Sequence, residues 1–175
     1  WVLTEAGWPS SWPVLMLAPH PDDFDAVAVA LRWFRENGNP LHVAVVSSGA
    51  SGVEDSFCRP PTPGNKARVR EAEQAGSCRQ FGLAPGRLAF LRLPEDGQGH
   101  PLRNPETSAA VAQTVRQSRA RIVLLPHGND SNAGHRRVWA MAEEHLSAGN
   151  RPVVVLANRD PKTRAMREDV YMPFG

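Results

Sequence analysis

What the chain lacks narrows its function first. No uninterrupted apolar run approaches the roughly 20 residues that a membrane helix needs, so no membrane span is expected. Neither sign of charge dominates: 20 basic against 18 acidic side chains leave a net charge of +2, too little to argue for nucleic acid or a lipid surface as partner. There are only two cysteines, and the spacing of Cys58 and Cys78 matches neither a metal site nor a redox motif. Unpaired thiols, together with an amino terminus lacking a basic-then-apolar leader, point to a cytoplasmic setting. The first residue is Trp1 rather than Met, from which a fragment or a processed form is expected.

What is present is organised around one stretch. Val14-Leu15-Met16-Leu17-Ala18 is an apolar run that ends directly in Pro19-His20-Pro21-Asp22-Asp23. A buried strand delivering one imidazole and two carboxylates at its carboxyl end is where an open α/β sheet keeps its chemistry. These residue types suit a divalent metal held by His20 and Asp23, with Asp22 left as a base. A third ligand must come from elsewhere, and His135 is the best candidate, with His127 as substitute. His127, His100 and His42 otherwise read as surface or strand residues.

The rest of the chain alternates. The pattern predicts a helix from Asp22 to Asn37, a strand over Leu41–Val46 and a small-residue loop, Ser47 to Gly52. A helix follows from Asn65 to Phe81, with Val69, Ala72, Ala75 and Phe81 facing inward, then a strand over Leu88–Leu93. Asn104-Pro105 starts a helix running to Ser118. Arg121–Leu125 is a fourth strand, His135–Ala148 a helix ended by Gly149, and Pro152–Ala157 a fifth strand. The tryptophans of the lead-in, Trp1, Trp8 and Trp12, are expected to cover an edge of the core. Five strands alternating with helices predict one α/β domain of 175 residues, a Rossmann-like α/β/α sandwich on a mainly parallel sheet. Each polar cluster follows the carboxyl end of a strand, so all of them gather on one rim.

Two segments carry a resemblance. Ala18-Pro19-His20-Pro21-Asp22-Asp23 after a strand, and Pro126-His127-Gly128-Asn129-Asp130-Ser131-Asn132-Ala133-Gly134-His135 after another, together resemble the paired motifs of the PIG-L/LmbE metal-dependent N-deacetylases. The likeness reaches from about Val14 to His145. It implies hydrolysis of an N-acetyl group from a small-molecule amino-sugar conjugate, with zinc (or ferrous iron) as cofactor. A metal-activated water would attack the amide, Asp22 would be general base, and Asn132 would donate to the oxyanion. It also implies that Arg70, paired with Glu73 as Arg-x-x-Glu, reaches the substrate. Ser47, opening a loop similar to the family's Thr-x-Gly-x-x-Gly, and Asp96 of an Asp-Gly turn would line the pocket.

Three positions depart from that family. Asn132 stands where many members have histidine, Gly134 where Asp is common, and Phe24 where Glu is usual. Asn donates a hydrogen bond but carries no titrating proton, so Asp22 must shuttle protons in both directions. Asp25 is placed to support a ligand in Phe24's stead. Members of that family usually continue further, so a carboxyl-terminal helical portion is expected to be missing or replaced. These departures keep open a non-catalytic domain that binds metal or sugar through an eroded site.

Overall fold

The computed structural model describes residues 1–148, 152–159, 163 and 166–172. Five strands form one wholly parallel sheet: β1 (Val14–Ala18), β2 (Leu41–Val45), β3 (Leu88–Phe90), β4 (Ile122–Pro126) and β5 (Val154–Asn158), in spatial order β3-β2-β1-β4-β5. All five residues of β1 are buried, as a central strand covered on both faces requires. Alternate residues feed two cores. Val14, Met16 and Ala18 join Val43, Val45 and Leu124 on one face, under α2 (Ala28–Glu36) and α3 (Pro63–Phe81). Leu15 and Leu17 join Ala44, Val123 and Leu125 on the other, under α4 (Pro105–Ser118) and α5 (Ala133–Ala148). The chain is thus the predicted three-layer α/β/α sandwich.

The strand order creates the site. The chain winds outward from β1 to β3, then returns to lay β4 against the opposite side of β1. The segments leaving β1 and β4 therefore separate in opposite directions, and a crevice opens between them beyond the strand ends. His20 follows β1 and His135 follows β4.

Several boundaries differ from the sequence pattern for identifiable reasons. The helix predicted from Asp22 breaks at Val27, whose backbone (φ −119, ψ 12) divides α1 (Asp23–Ala26) from α2. Phe24 and Phe34 are both buried to within 1% exposure, and the break lets α1 and α2 each turn one of them into the core. Strand β3 stops at Phe90 because Arg92 turns to positive φ (49), although Leu91 and Leu93 still donate to Val45 and Val46. The third helix begins two residues early, where Thr62 caps it and accepts from the Asn65 amide. Its inner face matches the apolar residues only in part: Phe81 packs against the core and Val69 and Ala75 are half-buried, but Ala72 is exposed and Gln74 and Cys78 are the buried positions. The Gly149 stop predicted for α5 lies outside the described residues.

Trp8 and Trp12 cover the core edge as expected, Trp8 meeting the Phe34 ring edge-on at 5.7 Å. Trp1 does not; it is 85% exposed. Among the described residues no helix is long and apolar enough to cross a membrane.

Candidate active site

The turn after β1 is built on strain. Asp22 adopts φ 107, a conformation that side chains other than glycine rarely take and that costs on the order of 1–3 kcal/mol. Two residues of α3, four apart and so on one face of the helix, hold it there. Gln74, 2% exposed, accepts the Asp22 amide at 3.0 Å. Arg70 donates to the Pro21 carbonyl and lies 3.0 Å from the Asp22 carboxylate. The result is a sharp turn in which His20 and Asp23 face inward while the Asp22 side chain stays 66% exposed at the mouth.

Within that turn, Asp23 closes back on the His20 amide at 2.7 Å and lies 3.4 Å from the His20 ring nitrogen. Its other oxygen is 3.2 Å from Nε2 of His135, which arrives from the first turn of α5. The two imidazole rings are 5.3 Å apart. One donor atom from each of His20, Asp23 and His135 lies within 4.8 Å of the others. Two segments more than a hundred residues apart thus converge on one point.

A buried carboxylate orients the last of these side chains. Asp130, 2% exposed, sits 2.9 Å from His135 Nδ1 and accepts the Asn132 amide on its second oxygen at 2.7 Å. With Nδ1 engaged, Nε2 is the nitrogen left for an ion, the usual carboxylate–histidine support of a metal ligand. Asn132 in turn accepts the Gly134 amide at 2.8 Å, which commits its carbonyl oxygen and leaves its NH2 group to donate. Gly134 has its own reason: a β-carbon there would stand 2.9 Å from His20 Nε2.

Electrostatics couple the three side chains in the metal-free protein. Burial alone would push the Asp23 carboxyl up, but hydrogen bonds and charge from His135 and His20 hold it well below the usual carboxylate range. Burial likewise disfavours a charged His135, yet Asp23 and Asp130 on its two nitrogens push it up to about 9. An anionic Asp23 facing two imidazoles with open space beside them suits a divalent cation, and the donor set of two His and one carboxylate is that of an open catalytic zinc centre.

The space beside them is a cavity of about 520 Å³, walled by the triad, Asp22, Arg70, Asn132, the Gly49–Gly52 loop and His100. Gly49, at φ 62, is where that loop passes closest to the turn, a β-carbon there reaching 3.0 Å from the Pro21 ring. Of the sequence-predicted residues, His20, Asp22, Asp23, Arg70, Asn132 and His135 all line this cavity. Ser47 does not: it is buried below the rim, its hydroxyl donating to the Pro19 carbonyl at 2.9 Å. Asp96 also stands off the cavity. It accepts the Gln98 and His100 amides and pairs with Arg137 at 2.7 Å, and these partners lower its carboxyl to about 2. Asp25 accepts from Ser77, and the carboxylate that contacts His135 from outside the triad is Asp130. Phe24 is a core residue packed edge-on against Phe81 at 5.0 Å. Glu73 is exposed; Arg70 pairs with Asp22 instead.

A family model described as PIG-L, GlcNAc-PI de-N-acetylase, matches residues 15–146, three quarters of the chain and both halves of the site. The chain belongs to the PIG-L family. No curated protein sequence matches this PIG-L chain significantly. Among solved structures it is similar to N,N'-diacetylchitobiose deacetylase from Pyrococcus horikoshii, with 19% identity, a TM-score of 0.67, and coverage of 78% of this chain and 50% of that one. The PIG-L chain thus spans half the length of that deacetylase. It is also similar to 4-carboxy-2-hydroxymuconate hydratase from Pseudomonas putida KT2440 (19% identity, TM-score 0.72, 90% of this chain, 70% of that one). A deacetylase of the teicoplanin biosynthetic pathway, solved as a triple mutant, gives 16% identity and a TM-score of 0.71 over 93% of this chain and 70% of that one. At these identities the likeness shows a shared fold.

Gln74, Asp130 and His100 were not found by sequence reasoning. Asp130 had a signal, a carboxylate five residues before a candidate ligand histidine. Gln74 had none, because nothing in its neighbours marks a buried polar contact to a distant turn.

Proposed function

We propose that this PIG-L chain is a metal-dependent hydrolase that removes an N-acetyl group from a small-molecule amino-sugar conjugate. The observation that carries this is the convergence of His20, Asp23 and His135, with Asp22 alongside, on an open polar cavity. The family description and the deacetylases among the structural neighbours support the choice of amide. When bound by these three ligands, a divalent metal (zinc, with ferrous iron as the other choice) supplies a Lewis acid for the carbonyl and the attacking water.

The chain's own groups do the remainder. Asp22, exposed at the mouth, takes a proton from water as it adds to the carbonyl carbon, then returns that proton to the nitrogen as the C–N bond breaks. Arg70 keeps the Asp22 carboxylate at that station. Asn132, its oxygen committed to Gly134, turns its NH2 toward the oxygen that gains negative charge. The free thiols Cys58 and Cys78 fit a cytoplasmic setting for this activity.

Acetate release from a panel of N-acetylglucosaminides by zinc-loaded protein tests the reading, with Asp22→Asn as control. Turnover should fall about 10²-fold or more in the variant, at unchanged zinc content. Stoichiometric zinc with no acetate from any substrate would instead favour a binding domain. The likeness to a hydratase motivates a second reading, in which Asp22 activates water for addition to a carbon–carbon double bond of an unsaturated carboxylate. Loss of the absorbance of a 2-hydroxymuconate-type substrate, without acetate release, would decide for it.

A further inference from the structure

His100 is held with more care than a surface histidine requires. It ends a turn between β3 and α4 that is tied at every point. Asp96 donates its amide to the His100 carbonyl at 2.9 Å and accepts the His100 amide at 3.1 Å, and Arg137 of α5 anchors the Asp96 carboxylate. Gly99, at φ 79, lets the turn press against the Gly49–Gly52 loop, where the Ser51 hydroxyl occupies the place of any β-carbon. All this bracing serves a side chain that makes no hydrogen bond itself among the described residues. Its Nδ1 is sealed from solvent without a partner, an arrangement that ordinarily costs about 1–3 kcal/mol. Yet the ring lines the cavity that holds the triad.

With the ring hydrogen on Nε2, the sealed Nδ1 is left as a lone pair and Nε2 is a hydrogen-bond donor for the cavity. It is not alone on that wall. Arg70 Nε is also buried without a partner, and the Gly49–Gly52 loop links the two, Gly49 beside Arg70 and Ser51 beside Gly99.

We propose that His100 is a specificity-determining residue whose Nε2–H donates to a hydroxyl of the substrate's sugar ring, on the wall shared with Arg70 and the Gly49–Gly52 loop. The inference rests on the amino-sugar reading above. A site that positions a donor for one hydroxyl discriminates against the analogue that lacks it.

The test uses zinc-loaded full chain, with His100→Ala and His100→Gln compared with the unaltered protein. Two readouts are taken: calorimetric binding of glucosamine, the product amine, and acetate release from N-acetylglucosamine and its 3-, 4- and 6-deoxy analogues. His100→Ala should weaken glucosamine binding and lower kcat/KM about tenfold, at unchanged zinc content, and His100→Gln, which keeps a donor, should recover part of both. One deoxy analogue should erase the difference between the unaltered protein and His100→Ala. Glucosamine binding that is indifferent to His100→Ala, or a penalty that persists with all three analogues, overturns the assignment while leaving the deacetylase reading intact. Failure of the unaltered protein to bind glucosamine and to release acetate from N-acetylglucosamine or any N-acetylglucosaminide of the panel overturns both.

Discussion

Asp130 offers the sharpest perturbation, because replacing it by Asn changes almost no volume and removes one specific capability. The carboxylate accepts on both oxygens, from the Asn132 amide at 2.7 Å and toward His135 Nδ1 at 2.9 Å. An amide has one oxygen. If it keeps the Asn132 contact, its NH2 faces His135 Nδ1, which must give up its proton. The ring's hydrogen then moves to Nε2 and occupies the lone pair an ion needs. If the amide flips, two donors face each other at Asn132 instead. Either way one charge-assisted hydrogen bond is lost at a site 2% exposed, worth about 1.5–3 kcal/mol. That converts to zinc affinity lower by about 10- to 150-fold, consistent with the roughly 10–100-fold loss typical of removing a ligand's supporting partner. Competition against a fluorescent chelator at pH 7 measures it. An affinity within twofold of the unaltered protein would show that Asp130 does not orient His135, and the assignment of His135 Nε2 as a ligand would fall with it.

Other consequences follow from the same geometry. Asp22→Gly removes the positive-φ strain and an ion pair whose carboxylate is 66% exposed, and Arg70 keeps the Pro21 carbonyl, so chemical denaturation should find the variant at least as stable as the unaltered protein, while acetate release is lost; clear destabilisation would contradict the strain assignment. In metal-free protein, His135 is raised to about 9 from an ordinary value near 6.5. Its stabilising contribution is therefore complete below the unfolded value and is lost as pH rises toward 9; urea unfolding across that window should show the decline, and zinc-loaded protein should not follow it. Burial pushes the Cys78 thiol up to about 11, so iodoacetamide at neutral pH should label Cys58 and spare Cys78 until the protein unfolds.

The sequence carried the architecture where burial is nearly complete. The run Val14–Ala18 is apolar at all five positions and is buried at all five, and parallel strands covered on both faces leave that signature with little ambiguity. The triad was legible for a related reason: His20, Asp23 and His135 each stand just beyond such a strand, and strand ends in a parallel sheet share one rim. What stayed hidden depends on contacts between distant segments. Asp22 is not a glycine, so nothing local announces a positive φ; the cause is Gln74 and Arg70, some fifty residues away. The inner face of α3 was read correctly at Phe81 but missed Gln74, whose burial against the Asp22 turn is a polar contact that apolar spacing does not reveal. Ser47 and Asp96 sit at the right strand ends but turn inward to brace loops, which side-chain type alone does not reveal. His100 lies beyond an Asp-Gly-Gln-Gly turn, and only the folded position of that turn brings it to the cavity.

The central claim is that two imidazoles and one carboxylate, contributed by the segments after β1 and β4, share one ion. X-ray absorption at the zinc edge of protein loaded with one equivalent tests it most directly. The expected spectrum has two histidine nitrogens and carboxylate or water oxygens at about 2.0–2.2 Å, and Asp23→Ala or His135→Ala should remove the corresponding shell and the stoichiometric binding. A sulfur shell near ~2.3 Å, or an unchanged spectrum in the His135→Ala protein, would place the ion elsewhere and contradict the account.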